Sequence, residues 1–244
     1  MAVTAAKELH DGDVVFVGIG LPNLACNLAR ATHAPGLVLI YESGAVGAIP
    51  DRLPVSIGDP ALVTDSLAVA SMADIFQLYL QGGRIGVGFL GGAQIDRYGN
   101  INSTVIGSYA KPKVRLPGSG GACEIAIHAQ RVVIVAPLSP RSFPAAVDFV
   151  TSPGHAGKYG TRKELGLPGG GPRRIVTDVG VLEPSPEDGE LELAAIYPNV
   201  TVDEVAAKAG WPLRSRAELA RVAPPTAGEL RLLREVLDPA HLYI

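Results

Sequence analysis

Leu37–Tyr41 reads LVLIY and runs directly into Glu42–Gly47, ESGAVG. A short run that is apolar at every position suits a strand buried on both faces, as in a parallel sheet. Val14–Gly18 (VVFVG), Arg84–Leu90 (RIGVGFL) and Arg131–Ala136 (RVVIVA) have the same character, and Arg174–Asp178 (RIVTD) and Leu191–Tyr197 (LELAAIY) add later strands. Between them lie helical stretches: Asn23–Arg30 with Asn23 as N-cap, Ser71–Leu80 and Ala122–Gln130, then Val202–Lys208 and Ala227–Val236 near the end. Strands alternating with helices predict an α/β fold with a largely parallel sheet. Gly154–Pro172 is expected to be a long surface loop, and Glu183–Glu190 (EPSPEDGE) a polar turn.

Composition narrows the function classes. The 244 residues are 47% hydrophobic and 18% charged, which supports a folded core and argues against disorder. The net charge of −3 makes no electrostatic case for nucleic acid, and no basic cluster points to a membrane surface. Cys26 and Cys123 lack metal-ligand or CxxC spacing and read as buried thiols of a reducing cytosol. The first ten residues carry Lys7 and Glu8 and do not resemble a signal peptide. No apolar run approaches the roughly 20 residues that span a bilayer, so a cytoplasmic protein is expected. The five histidines show no metal spacing, and GxSxG is absent, which disfavours a metal or a serine nucleophile.

Several clusters could carry chemistry. Glu42 ends a buried strand and begins a glycine-rich turn, which places it at the carboxyl edge of the sheet, where open α/β sheets build their sites. A carboxylate there serves as a covalent nucleophile; the alternative is a strand-end acid paired to an arginine or capping a helix. Gly18–Pro22 (GIGLP) is either an anion-binding strand–loop–helix or a tight turn shaping the neighbouring site. It lacks the full GxGxxG fingerprint of a dinucleotide site. Gly91–Asp96 and Tyr98–Thr104 surround a turn, with Gln94 and Asn102 as amides open to a substrate or simply as parts of a hairpin-like connection. Gly118-Ser119-Gly120-Gly121-Ala122 precedes a helix, and its glycines would let a ligand approach the main chain.

In this order, the clusters resemble the β subunit of family I CoA-transferases, of the glutaconate CoA-transferase type. The matching stretches are Val17–Pro22 (VGIGLP), Tyr41–Gly44 (YESG), Gly91–Ser103 (GGAQIDRYGNINS), Ser108–Ala122 (SYAKPKVRLPGSGGA), Asp148–Gly154 (DFVTSPG), Glu164–Pro168 (ELGLP), Val176–Leu182 (VTDVGVL) and Val236–Pro239 (VLDP). One domain over residues 1–244 would account for the chain. The resemblance implies a three-layer α/β/α fold shared with certain sugar-phosphate isomerases. It implies Glu42 as the nucleophile of a ping-pong cycle, with Gly20, Ser43, Gly44, Gln94, Asn102, Gly118, Gly120, Gly121 and Ala122 around CoA and substrate. It also implies a separate α subunit, an acyl-CoA and a carboxylic acid as partners, CoA thioester as substrate and no permanently bound cofactor. The oxyanion motif of the α subunit is missing here, so this chain alone is expected to be inactive. Ala45–Ala48 departs from the glutaconate enzyme and leaves room for a bulkier or less polar acyl group. The alternatives are a CoA-thioester ring-cleaving hydrolase of the same superfamily, as in steroid degradation, and a non-catalytic partner that only completes a heteromer.

Overall fold

The structure, a computed structural model, describes residues Met1–Ile244. The chain divides into two compact units, Met1–Phe89 with Pro224–Ile244, and Leu90–Ala223.

The first unit opens with α1 (Ala2–Ala6), β1 (Val14–Phe16), α2 (Leu21–Thr32) and β2 (Val38–Ile40). Next come β3 (Ala45–Val46), β4 (Ala68–Val69), α3 (Met72–Asp74) and β5 (Val87–Leu90). Strand order is β5-β1-β2-β3-β4. The pairs β1–β5 and β1–β2 are parallel, the latter with Val14, Val15 and Phe16 opposite Val38, Leu39 and Ile40. The pairs β2–β3 and β3–β4 are antiparallel. The continuous apolar runs do fill a buried centre: Val15, Phe16, Leu39, Ile40 and Val87 are all buried. Pro22 sits in the first turn of α2, where its missing N–H costs nothing, and moves the N-cap from the expected Asn23 back to Gly20. The helix expected over Ser71–Leu80 is capped by the Ser71 hydroxyl and continues from α3 into a wider, π-type turn over Ile75–Leu80.

The second unit begins with the short hairpins β6 (Gln94–Ile95) with β7 (Ile101–Asn102), and β8 (Val105–Gly107) with β9 (Pro112–Arg115). Then follow α4 (Ala122–His128), β10 (Arg131–Val135), β11 (Ala156–Gly157), β12 (Gly160–Thr161) and β13 (Pro172–Val176). The unit closes with β14 (Gly180–Pro184), β15 (Leu191–Ile196), α5 (Val202–Ala206) and β16 (Arg214–Arg221). Its larger strands lie in the order β16-β15-β14-β13-β10, parallel at β10–β13 and β15–β16 and antiparallel between. The chain then returns to the first unit through α6 (Ala227–Arg231) and a π-type turn, Leu232–Leu237.

Two expectations change. Glu183 and Pro184 lie in buried strand β14, not in an exposed polar turn: the Glu183 carboxylate is held by Arg174 and by Arg216, the latter at 2.6 Å. Gly154–Pro172 does run largely over the surface, but it is tied down: it holds β11 and β12. Arg162 lies buried beneath it and donates to the carbonyls of Gly169, Pro153, Gly154, Ala126 and Ile127, at 2.9 to 3.3 Å. The guanidinium fork reaches acceptors that a lysine could not serve together. No helix is long and apolar enough to cross a membrane.

Candidate functional site

In the first unit, the parallel pairing of β1 with β2 sets their carboxyl ends side by side. The Gly18–Pro22 loop leaves one end and the Glu42 turn leaves the other. The turn is tight: Tyr41 N–H donates to Ala45 O and Gly44 N–H donates to Tyr41 O, both at 3.0 Å. Gly44 has φ +115°, and a Cβ there would stand 2.1 Å from Ala70 O. Only glycine fits, and the neighbouring chain locks it further through Ala70 N–H to Gly44 O, 2.9 Å.

Beneath the turn, a buried polar chain ties α2 to the β2–β3 hairpin. Asn23 Nδ2 donates to the Tyr41 hydroxyl at 2.6 Å, Asn27 Nδ2 to Asn23 Oδ1 at 2.9 Å, and Arg30 to both Asn27 Oδ1 and Ala48 O. Burial pushes the Tyr41 hydroxyl and the neighbouring Cys26 thiol up, so both stay neutral. Sequence reading treated Asn23 as a cap and missed this chain, although Asn23, Asn27 and Arg30 share one helix face at i, i+4 and i+7.

Glu42 itself is half-buried, pairs with no arginine and caps no helix; no hydrogen bond from the chain reaches its carboxylate. Ser43 beside it is exposed. Gly20 begins α2 with φ +86°, next to the ring of Tyr243. Ala45, Val46 and Ala48 are buried and face the core. They therefore carry no information about acyl size, which corrects the inference drawn from them.

In the second unit, the glycine loop is anchored at one end and open elsewhere. Gly118 N–H donates to Ser103 O, and the Ser103 hydroxyl donates back to Gly118 O, both at 2.8 Å. Gly118 and Gly120 adopt φ +103° and +48° with nothing within 4 Å of a would-be Cβ, so their main chain is open to an approaching ligand. Gly121 is buried and Ala122 starts α4, which at seven residues is too short for a strong dipole.

Gln94 and Asn102 do not offer amides to a substrate. Asn102 Nδ2 donates to Gln94 Oε1 and Val105 O, both at 2.7 Å, while its Oδ1 accepts from Thr104 and Val105 N–H. Gln94 Nε2 donates to Asp148 at 3.3 Å, and its Oε1 accepts Asp148 N–H at 3.0 Å. Their partners lie up to 54 residues away, which local pattern could not reveal. Between them, Asp96 closes the DRYGN turn by accepting from Tyr98 N–H, Asn100 N–H and Asn100 Nδ2.

A coenzyme A transferase family model matches residues 1–208. The chain belongs to that family. It is 51% identical over 234 residues to one subunit of the 3-oxoadipate CoA-transferase of Pseudomonas knackmussii, covering 96% of this chain and 90% of the relative. It is 38% identical over 248 residues to one subunit of the glutaconate CoA-transferase of Acidaminococcus fermentans, covering 100% and 92%. The crystal structure of that organism's glutaconate CoA-transferase superposes with a TM-score of 0.91, covering 100% of this chain and 95% of the other. A cholesterol ring-cleaving hydrolase subunit of Rhodococcus jostii is 28% identical over 236 residues, 91% of this chain and 83% of the relative.

Proposed function

We propose that the chain is the nucleophile-bearing subunit of a heteromeric CoA-transferase and that Glu42 carries the group in transfer. The reading rests on one observation above all: a carboxylate at the end of β2, fixed by a turn that tolerates only glycine at position 44, that no group of the chain binds. Positioned nucleophiles of this kind split one difficult step into two easier ones. The Glu42 carboxylate attacks the thioester carbonyl of acyl-CoA, giving a mixed anhydride and expelling CoA thiolate. The thiolate attacks the glutamyl carbonyl and releases the acyl group as its carboxylate, leaving Glu42 as a CoA thioester. An acceptor carboxylate then takes the CoA by the same steps reversed. Thioester energy stays in a covalent bond throughout, provided water is excluded.

In the second unit, the open main chain at Gly118 and Gly120 supports a role against CoA. In the first unit, Ser43 and Gly44 follow Glu42 in its turn, and Gly20 lies in the loop that leaves the neighbouring strand. Gln94 and Asn102 serve as scaffold. The relatives at 51% and 38% identity are subunits of CoA-transferases named for 3-oxoadipate and glutaconate, both dicarboxylic acids. On that basis, a dicarboxylate is the first donor or acceptor to assay, with an α-type subunit as the partner that completes the site. The test is to turn over the purified heteromer with acyl-CoA, reduce with borohydride and map the modified peptide by mass spectrometry. Label on Glu42 is expected. Turnover with no label on Glu42 under any substrate rejects the covalent mechanism, and a C–C cleavage product formed without an acceptor acid points to the hydrolase branch.

A further inference from the structure

The stretch Ser108–Ala122 contributes its last residues to the glycine loop, while its first half lies outside the site described above. That half supplies the turn and the second strand of the β8–β9 hairpin. Lys111, Lys113 and Arg115 lie on this hairpin within the acid-free span Val105–Gly121. That span carries +3 in a chain whose net charge is −3, so the remainder carries −6. All of β9 is exposed, and no carboxylate pairs with any of the three cations. The nearby carboxylate of Asp148 accepts Gly107 N–H at 2.8 Å and the Gln94 amide.

One of the cations, Arg115, is held on a stacked pair of rings. The ring of Tyr109, 60% exposed, stacks on Phe149 with centroids 5.4 Å apart and planes 25° apart. The Arg115 guanidinium covers the ring at 4.8 Å and donates to Tyr109 O at 3.3 Å. Such a stack holds the guanidinium plane while leaving its edge N–H donors facing water. The hairpin and the glycine loop are braced on the same backbone: Leu116 N–H donates to Thr104 O and Gly118 N–H to Ser103 O, at 3.0 and 2.8 Å. Arg115 and Gly118 are three residues apart, a reach of at most about 10 Å.

We infer that this hairpin binds the phosphate groups at the nucleotide end of CoA, with Lys111, Lys113 and Arg115 as the cations. The inference rests on the transferase reading above and assigns the part of the substrate that reading leaves unplaced. CoA is a thiol on a long neutral arm ending in a diphosphate and a 3′-phosphate. A ligand whose neutral arm follows the open main chain at Gly118 and Gly120 carries its anionic end toward a neighbouring cluster of cations. Charge-assisted bonds to phosphate are the strong kind, and an unpaired basic cluster in an acidic chain favours them.

The test uses the chain purified with its partner subunit. Lys111→Glu/Lys113→Glu is compared with the parent enzyme using acyl-CoA and the matching acyl-pantetheine thioester, which lacks the nucleotide. The double variant should lose at least about tenfold in kcat/KM for acyl-CoA, carried by KM, and stay unchanged for acyl-pantetheine. Arg115→Met should give a smaller loss with the same selectivity. Equal kcat/KM for acyl-CoA in parent and variant overturns the inference while leaving Glu42 labelling intact. An equal loss with both thioesters also overturns it, as does failure of the double variant to hold its partner on size exclusion, which would make the hairpin a subunit contact. A parent heteromer that turns over no acyl-CoA and takes no label on Glu42 defeats the transferase reading itself.

Discussion

Two turns in this chain look alike in sequence and behave oppositely. Tyr41–Gly44 and Asp96–Asn100 each join a strand end, a carboxylate and a glycine. At Asp96 the turn consumes its own acid: two main-chain N–H groups and the Asn100 amide converge on one carboxylate, which is buried. At Glu42 the turn is closed by main-chain bonds alone, and the tight contact falls on Gly44 and Ala70, so the carboxylate is left over. An acid that its own fold does not use is the one available to a substrate.

The largest effect should come from Glu42→Gln. Transfer activity is expected to fall by about a thousandfold or more, as when a covalent nucleophile is removed, with urea unfolding unchanged because no internal bond is lost. A large stability loss would mean that Glu42 is structural after all. Gly44→Ala should cost about 3 kcal/mol or more in urea unfolding, since it combines a left-handed backbone with a clash against Ala70 O. A near-neutral result would remove the argument that the turn is rigid. Asp96→Ala should reverse the Glu42 pattern: a loss of about 2 to 3 kcal/mol from orphaned donors, with kcat per folded molecule retained. Tyr41→Phe, which strips one hydroxyl from the buried chain, should cost about 1 kcal/mol.

The smallest effect concerns pH. His155 Nε2 donates to Pro172 O at 2.6 Å, and burial holds its pKa below the usual histidine value. The unfolded chain therefore takes up the proton first. Stability is full above the unfolded value near 6.5 and declines as pH falls below it. His155→Gln should flatten that decline in thermal melts between pH 7 and 5; an unchanged slope would assign it to other groups.

These contrasts show what was legible in sequence. Strands β1, β2, β5, β10 and β15 announce themselves because a buried strand is apolar at nearly every position, and β13 shows itself through its apolar end at Ile175 and Val176. Strand β16 (RSRAELAR) does not, since both its faces meet water, and β14 hides because Glu183 finds its arginines at positions 174 and 216. Glu42 stood out because strand, acid and glycine are contiguous. Gln94 and Asn102 stayed open between a hairpin and a substrate contact because Asp148, which holds Gln94, lies 54 residues away. The arginine over a stacked tyrosine was equally invisible, since the hairpin that brings Arg115 to Tyr109 and the phenylalanine beneath that ring are both products of the fold.

Arg162 has a consequence for how the second unit opens. Its guanidinium gathers carbonyls from residues 126–127, 153–154 and 169, so it works as a non-covalent cross-link between three separated stretches. Unlike a disulfide, it leaves the unfolded chain unconstrained and acts only while all three stretches are in place. Losing any one of them strands a buried cation, so the end of α4 and the Gly154–Gly169 segment should open together, as one cooperative unit of hydrogen exchange.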